Sequence, residues 1–159
     1  MVEAITRPTQ IEISQKALKN NVAVVKRVSG AEKIFLAVKS NAYGLGLIPT
    51  AKAAVAGGVY GLAVAIIDEA LALRHERITA PILILGISPA EYAELMAVQH
   101  IMATVVSLDW LQEAAQYLTG EQRLHVSLGV DTGMGRIGFR DRQSLSEAID
   151  YVQAHRDIF

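Results

Sequence analysis

Short apolar runs recur along this chain at intervals of roughly 20 to 28 residues, at 34–38, 60–67, 82–85, 101–106 and 124–128. Each is too short for a buried helix, and its continuous apolar character predicts a strand covered on both faces. The stretches between them place apolar residues on a helical face. Ser14 is a good N-cap for a helix reaching Val28, with Leu18, Val22 and Val25 on one side and Gly30 as its stop. Residues 48–56 read as a helix ended by Gly57-Gly58. Asp68 is expected to cap a helix holding Leu71 and Leu73, and Ser88-Pro89-Ala90-Glu91 has the form of a capping box with proline at the first helical position. Ser107 caps a helix through Trp110, Leu111 and Leu118 that stops at Gly120. Residues 141–155 form the last helix, with a strand expected to start at Ile158-Phe159. Near the N-terminus, residues 10–13 alternate polar and apolar, as a short edge or linking strand would. Strand followed by helix, five times over, means a parallel sheet. Two architectures fit: a (β/α)8 barrel and an open doubly wound sheet.

Composition narrows the classes without choosing between them. A chain of 159 residues suits one domain. Its 52% hydrophobic and 19% charged residues suit buried sheet and helices, and equally a piece of a larger domain whose remainder covers apolar surface. A net charge of -1 predicts neither a nucleic-acid nor an anionic-membrane partner. No cysteine is present, which excludes disulfide and thiol chemistry and points to a reducing compartment. Residues 1–10 carry Glu3 and Arg7 and have no apolar core of a signal peptide. No apolar run reaches the roughly 18 residues of a membrane span.

The candidate chemistry lies in two loops that follow the first and fifth strands. The first strand ends in Lys39, and Asn41, Tyr43, Gly44 and Gly46 come after it. A lysine at the end of a buried strand is partly desolvated, which lowers its pKa and makes its amine a nucleophile for an aldehyde cofactor. The alternative is that Lys39 simply extends its ammonium to water. The second loop, Gly133-Met134-Gly135-Arg136-Ile137-Gly138, fits the G-x-G-x-x-G fingerprint of dinucleotide-binding folds. That fingerprint belongs after the first strand of a βαβ unit. This one follows the fifth strand and carries Arg136 and Phe139 where a phosphate-cradling helix would open. The glycines also suit left-handed backbone around a positioned arginine, and Arg136 could equally form a loop salt bridge with Asp131. In either architecture ligands bind at the carboxyl ends of the strands, and in a closed barrel both loops face one mouth. Lys39, Tyr43, Asp131 and Arg136 would then reach one ligand. His75, His100, His125 and His155 have no metal-ligand spacing and read as surface or strand-end residues, with His125 partly buried in its strand; no metal site is expected.

Residues 37–46, Ala-Val-Lys-Ser-Asn-Ala-Tyr-Gly-Leu-Gly, resemble the cofactor-lysine motif of the alanine racemases, which are pyridoxal 5'-phosphate (PLP) enzymes. Val130-Asp131-Thr132-Gly133-Met134-Gly135-Arg136-Ile137-Gly138-Phe139 is similar to that family's other signature, and the likeness extends to Leu62-Ala63-Val64-Ala65, Asp68-Glu69-Ala70 and residues 81–86. The resemblance implies a (β/α)8 barrel of which residues 1–159 supply about the first five βα units, followed in the family by a mostly β domain that this chain lacks. It implies interconversion of L- and D-alanine, with alanine as the small-molecule partner, in a cytoplasmic homodimer that supplies D-alanine for peptidoglycan. Lys39 would hold PLP as a Schiff base and act as acid and base on one face of the substrate. Tyr43 would reach the cofactor phosphate, Leu85 would pack near its ring, and Arg136 would donate to its phenolic oxygen and help hold the substrate carboxylate. Asp131 would order the Arg136 loop. Two positions depart from the pattern: Ala37 replaces the usual valine, and Gly129 stands where many members carry a modified lysine that supports the arginine. The family's protomer is more than twice as long, and its second base, a tyrosine, lies in the C-terminal domain. This chain is therefore expected to be a fragment, inactive alone. A PLP decarboxylase on the same barrel and a PLP-binding barrel without turnover stay open as alternatives.

Overall fold

The computed structural model describes residues 12–159. Helix α1 spans Gln15–Ser29, where the Ser14 hydroxyl accepts from the Ala17 amide at 3.1 Å and left-handed Gly30 returns its N–H to the Lys26 carbonyl. Strand β1 is Phe35–Ala37, followed by α2 at Leu47–Ala56, β2 at Gly61–Val64 and α3 at Ile67–His75. Strand β3 is Ile82–Ile84; a tight 3-10 turn at Ala90–Tyr92 leads into α4 at Ala93–Val98. Strand β4 is Ile101–Val105, α5 is Leu108–Tyr117, β5 is Val126–Leu128 and α6 is Arg142–Ala154. No helix of the described residues is long and apolar enough to cross a membrane.

The sheet has the order β1-β2-β3-β4-β5, and every neighbouring pair is parallel. A doubly wound sheet reverses its strand order at a switch point; this one does not. Since βαβ crossovers are right-handed, five strands in sequential order send every helix to the same side. That is how a barrel's βα units are laid down. The register lines up Leu36, Leu62, Ile82 and Ile101 across the sheet, with Val64 beside Ile84 one step on. Leu62, Val64, Ile82 and Ile84 are completely buried, in one cluster with Leu73, Met96 and Leu111 from the helices. Each such side chain is worth roughly 1.5–3 kcal/mol of burial. The other face carries Ala37, Ala63, Leu83 and Met102.

Several local expectations are corrected. Gln10 and Ile11 lie outside the described residues, and Glu12 and Ile13 are not in a strand. Strand β2 ends at Val64, and α3 begins at Ile67, so Asp68 sits in its first turn, with no side-chain cap at Ile66. The capping box at Ser88 does not form. The Ser88 carbonyl accepts the buried Trp110 indole N–H at 2.6 Å, and Pro89 takes an extended ψ of 140°, so the segment opens as a 3-10 turn. Tertiary packing on the indole outweighs the local cap there. Helix α5 ends at Tyr117, before Leu118. Ile158-Phe159 is not a strand: both amides return to the His155 carbonyl, although the Ile158 carbonyl accepts from Leu124.

At the amino ends of the strands, α3 supplies a single pin. The Arg74 guanidinium donates to the carbonyls of Ile78 and Ala80, which lead into β3, and of Gln99 and His100, which lead into β4. No carboxylate pairs with it among the described residues. Arg74→Met keeps the apolar stem and strands four carbonyls. Urea unfolding is expected to show a loss of about 2–4 kcal/mol, from bonds to a charged donor and acceptors left unpaired. A loss under about 0.5 kcal/mol would mean that water replaces the guanidinium there.

Candidate functional site

Alternation along the strands decides which side chains reach the mouth. Ala37, Ala63, Leu83 and Ser127 share the face turned away from the helices, and two residues further on come Lys39, Ala65, Leu85 and Gly129. The ladder persists beyond the strand ends: Val38 N–H donates to Ala63, Leu85 to Val64 and Gly129 to Val105, each at 2.8 Å. The result is an open cleft of about 300 Å³ in which Lys39, Leu85 and Arg136 meet, walled by Ala65, Gly86, Ile87 and Ile137. Three of the five residues singled out from the sequence thus come together. Lys39 is half-buried.

The loop after β1 is an unusual piece of backbone. Ser40, Asn41, Ala42 and Tyr43 all adopt left-handed angles, with φ between 53° and 56°. For non-glycine residues this costs roughly 1–2 kcal/mol each, so it persists only where surrounding bonds dictate it. Those bonds are present. The Ala42 N–H donates to the Val38 carbonyl at 2.8 Å, and the Asn41 carbonyl accepts from Gly44 and Gly46. The Asn41 side-chain oxygen accepts from Leu47 at 2.8 Å, which satisfies an amide at the start of α2. Glu69, in the first turn of α3, accepts the Ser40 N–H at 2.6 Å on one oxygen and the Ala65 N–H at 2.8 Å on the other. Tyr43 leaves this turn 66% exposed and faces an apolar groove beside Leu18, Val22 and Leu36, outside the cleft.

The loop after β5 is closed by its own ends. Asp131 N–H donates to Phe139 and Phe139 N–H to Gly129. Gly138, at φ 122°, lets the two ends touch, since a Cβ there would lie 2.5 Å from the Asp131 nitrogen. The Asp131 side chain, 4% exposed, accepts from the Gly133 and Gly135 amides at 3.0 Å. Its other oxygen lies 3.6 Å from the Arg140 guanidinium. The backbone donors at Gly135 and Gly133, then the charge on Arg140, hold its carboxyl below the usual carboxylate range despite burial. The salt bridge considered for Arg136 is therefore made by Arg140 instead. Arg136 has no ion-pair partner among the described residues. No helix opens from the glycine loop, since α6 starts at Arg142, so the dinucleotide fingerprint lacks its phosphate-binding helix.

At Gly129 a Cβ would meet Thr104 Cγ2 at 3.4 Å and Val106 Cγ1 at 3.5 Å, ordinary contacts, so crowding does not enforce the missing side chain. His75, His100 and His125 are exposed, His125 lying just before β5, and His155 stacks on Tyr151 at 4.0 Å. No group of three potential metal ligands occurs among the described residues.

Comparison with known proteins follows the same lines. The family described as alanine racemase, N-terminal domain, matches residues 13–159. A lysine racemase of Oenococcus oeni is 49% identical over 159 residues, which span 100% of this chain and 43% of that protein. An alanine racemase of Ligilactobacillus salivarius is 47% identical, across 99% of this chain and 43% of its own length. The crystal structure of alanine racemase from Oenococcus oeni superposes with a TM-score of 0.91 at 47% identity, over 96% of this chain and 44% of that one. The chain thus spans less than half the length of the relatives it matches. The five parallel βα units are those of the first part of their (β/α)8 barrel.

Asp131 offers a pH test of the second loop. A carboxyl whose folded pKa is lowered contributes stability at pH above its ordinary value of about 4 and loses it as pH falls through the lowered value. Urea titrations of the wild type and Asp131→Asn are expected to differ by a constant amount above about pH 5 and to converge as pH drops below about 4. A difference that stays constant into acid would show that the charge on Asp131 contributes nothing.

Proposed function

The chain belongs to the family of alanine racemase N-terminal domains, and from that premise we propose that it supplies the cofactor-anchoring half of a PLP-dependent amino-acid racemase acting on alanine. The observation that carries this reading is the meeting of Lys39, Leu85 and Arg136 in one cleft at the carboxyl ends of parallel strands. The donor set suits PLP: an amine for its aldehyde, a guanidinium for an anionic oxygen, and an apolar wall for its ring. When bound, the cofactor withdraws electrons from the substrate Cα and makes its proton removable. Lys39 Nζ would anchor the cofactor's aldehyde and, once the substrate amine has taken that place, would be the free amine that takes up and returns the proton on its own side of the cleft. Arg136, with no carboxylate partner among the described residues, would donate to the phenolic oxygen and help hold the substrate carboxylate. Leu85, Ile87 and Ile137 supply the apolar walls. Tyr43, exposed beside the α1 groove, is the hydroxyl that the resemblance assigns to the cofactor phosphate.

Inversion at Cα needs a proton donor on each face. Among the described residues lining the cleft, Lys39 is the one side chain that can offer a base, since a guanidinium has donors and no acceptor. We therefore assign racemisation to an assembly that adds a second base, and Lys39 to one of the two faces. Relatives named for lysine and for alanine match this portion equally well, which fits a part concerned with the cofactor and Cα more than with the substrate side chain. A homodimeric, cytoplasmic enzyme supplying D-alanine for peptidoglycan is the setting that the resemblance implies.

Borohydride reduction after mixing with PLP tests the anchor. Peptide mass mapping is expected to place the label on Lys39, and Lys39→Ala to abolish it. Arg136→Ala is expected to weaken PLP retention about ten- to a hundredfold, the worth of one charge-assisted bond. Label spread over exposed lysines, with Lys39 unmarked, would overturn the proposal.

A further inference from the structure

Beyond Val38 the β1–β2 ladder has run out, yet the peptide that carries Lys39 is still tied to the end of β2. The tie is a side chain. Glu69 Oε1 accepts the N–H of the Lys39–Ser40 peptide at 2.6 Å, and Oε2 accepts that of Ala65 at 2.8 Å. Both peptides belong to the cleft, since Lys39 and Ala65 line it. Ser40 is also the first of the four left-handed residues, so this bond sits where the strained turn begins.

We propose that Glu69 is the positioning residue for Lys39: its carboxylate fixes the lysine's own peptide against the end of β2 and so aims Nζ into the cleft. The inference rests on the reading of Lys39 as the cofactor amine. The chemistry requires a carboxylate. Two N–H donors converge on one side chain, and only Glu or Asp offers two acceptor oxygens and no donor. Glutamine has the same shape but turns a donor amide towards one of the two N–H groups. Aspartate is one methylene short and can reach only one of them. The site uses this acid on backbone, so it does not neutralise the lysine beside it.

Three variants, Glu69→Gln, Glu69→Asp and Glu69→Ala, are compared with the wild type in two measurements. One is amide hydrogen exchange at Ser40; the other is the rate of reductive PLP trapping at Lys39. In the glutamine variant, Ser40 exchange is expected to rise about ten- to a hundredfold. Lys39 trapping is expected to fall about tenfold or more, as for a reacting group held off its line of approach. Alanine should behave like glutamine, and aspartate should recover part of the loss. The buried amides of Ile84 and Val105 should keep wild-type protection. Unchanged trapping in the glutamine variant, or a Ser40 amide already unprotected in the wild type, would overturn the inference. So would core amides that lose protection in step with Ser40, because Glu69 would then hold the fold and not the lysine. If wild-type Lys39 takes no label, the proposed function falls, and Ser40 exchange alone decides whether the clamp exists.

Discussion

The register of the parallel strands is the constraint from which the site follows. Leu62, Val64, Ile82 and Ile84 are completely buried on the helix side, so a slip of one residue in β2 or β3 would turn that rank to the opposite face. Burial of roughly 1.5–3 kcal/mol per side chain makes such a slip prohibitive. Once parity is pinned, the next residues have no choice. Ala65 and Leu85, just past the strand ends, line the cleft on the face away from the helices, and Lys39, past the turn that begins at Val38, joins them there. The apolar layer does no chemistry, but it decides which residues can.

Strand ends alone do not hold a lysine or an arginine still, and both loops solve this in the same way. Each is organised by one carboxylate that accepts two backbone amides: Glu69 from Ser40 and Ala65, Asp131 from Gly133 and Gly135. Charge-assisted bonds of this kind are about twice as strong as neutral ones. They also leave the acids occupied. Among the described residues neither Lys39 nor Arg136 has an ion-pair partner, so the cleft keeps an amine and a guanidinium facing an apolar wall. A site for an anionic, planar ligand needs that combination. It is obtained by directing the acids to backbone and keeping them from the bases.

This also explains what the chain's letters disclosed. The five strands were legible because buried parallel strands are continuous apolar runs; Lys39 and Arg136 drew attention because they follow strand ends in distinctive loops, and Leu85 only through the family likeness. Glu69 was quoted only as part of a similar stretch, because an acid in a helix's first turn is ordinary near a helix dipole. Its partners lie 4 and 29 residues away, a distance no local pattern reports. The same limit explains the misread Ser88 cap, decided by Trp110, and the Asp131 pairing, taken by Arg140. The left-handed run from Ser40 to Tyr43 had a signal in residue type only at Asn41, since serine, alanine and tyrosine do not favour it. Only the bonds around it make it tenable.

The two ends of the sheet divide the work. At the amino ends, Arg74 donates its guanidinium N–H groups to four carbonyls that lead into β3 and β4. At the carboxyl ends, Arg136 has no carbonyl or carboxylate partner of that kind among the described residues and lines the cleft instead. The same side chain is structural where its hydrogen-bonding capacity is filled from within and available where it is not. What separates the two is the count of satisfied N–H groups. By that measure Arg74 serves the amino ends, while the guanidinium at the mouth keeps its N–H groups unfilled among the described residues, a division in keeping with barrel folds, whose stability is built at one end and whose chemistry at the other.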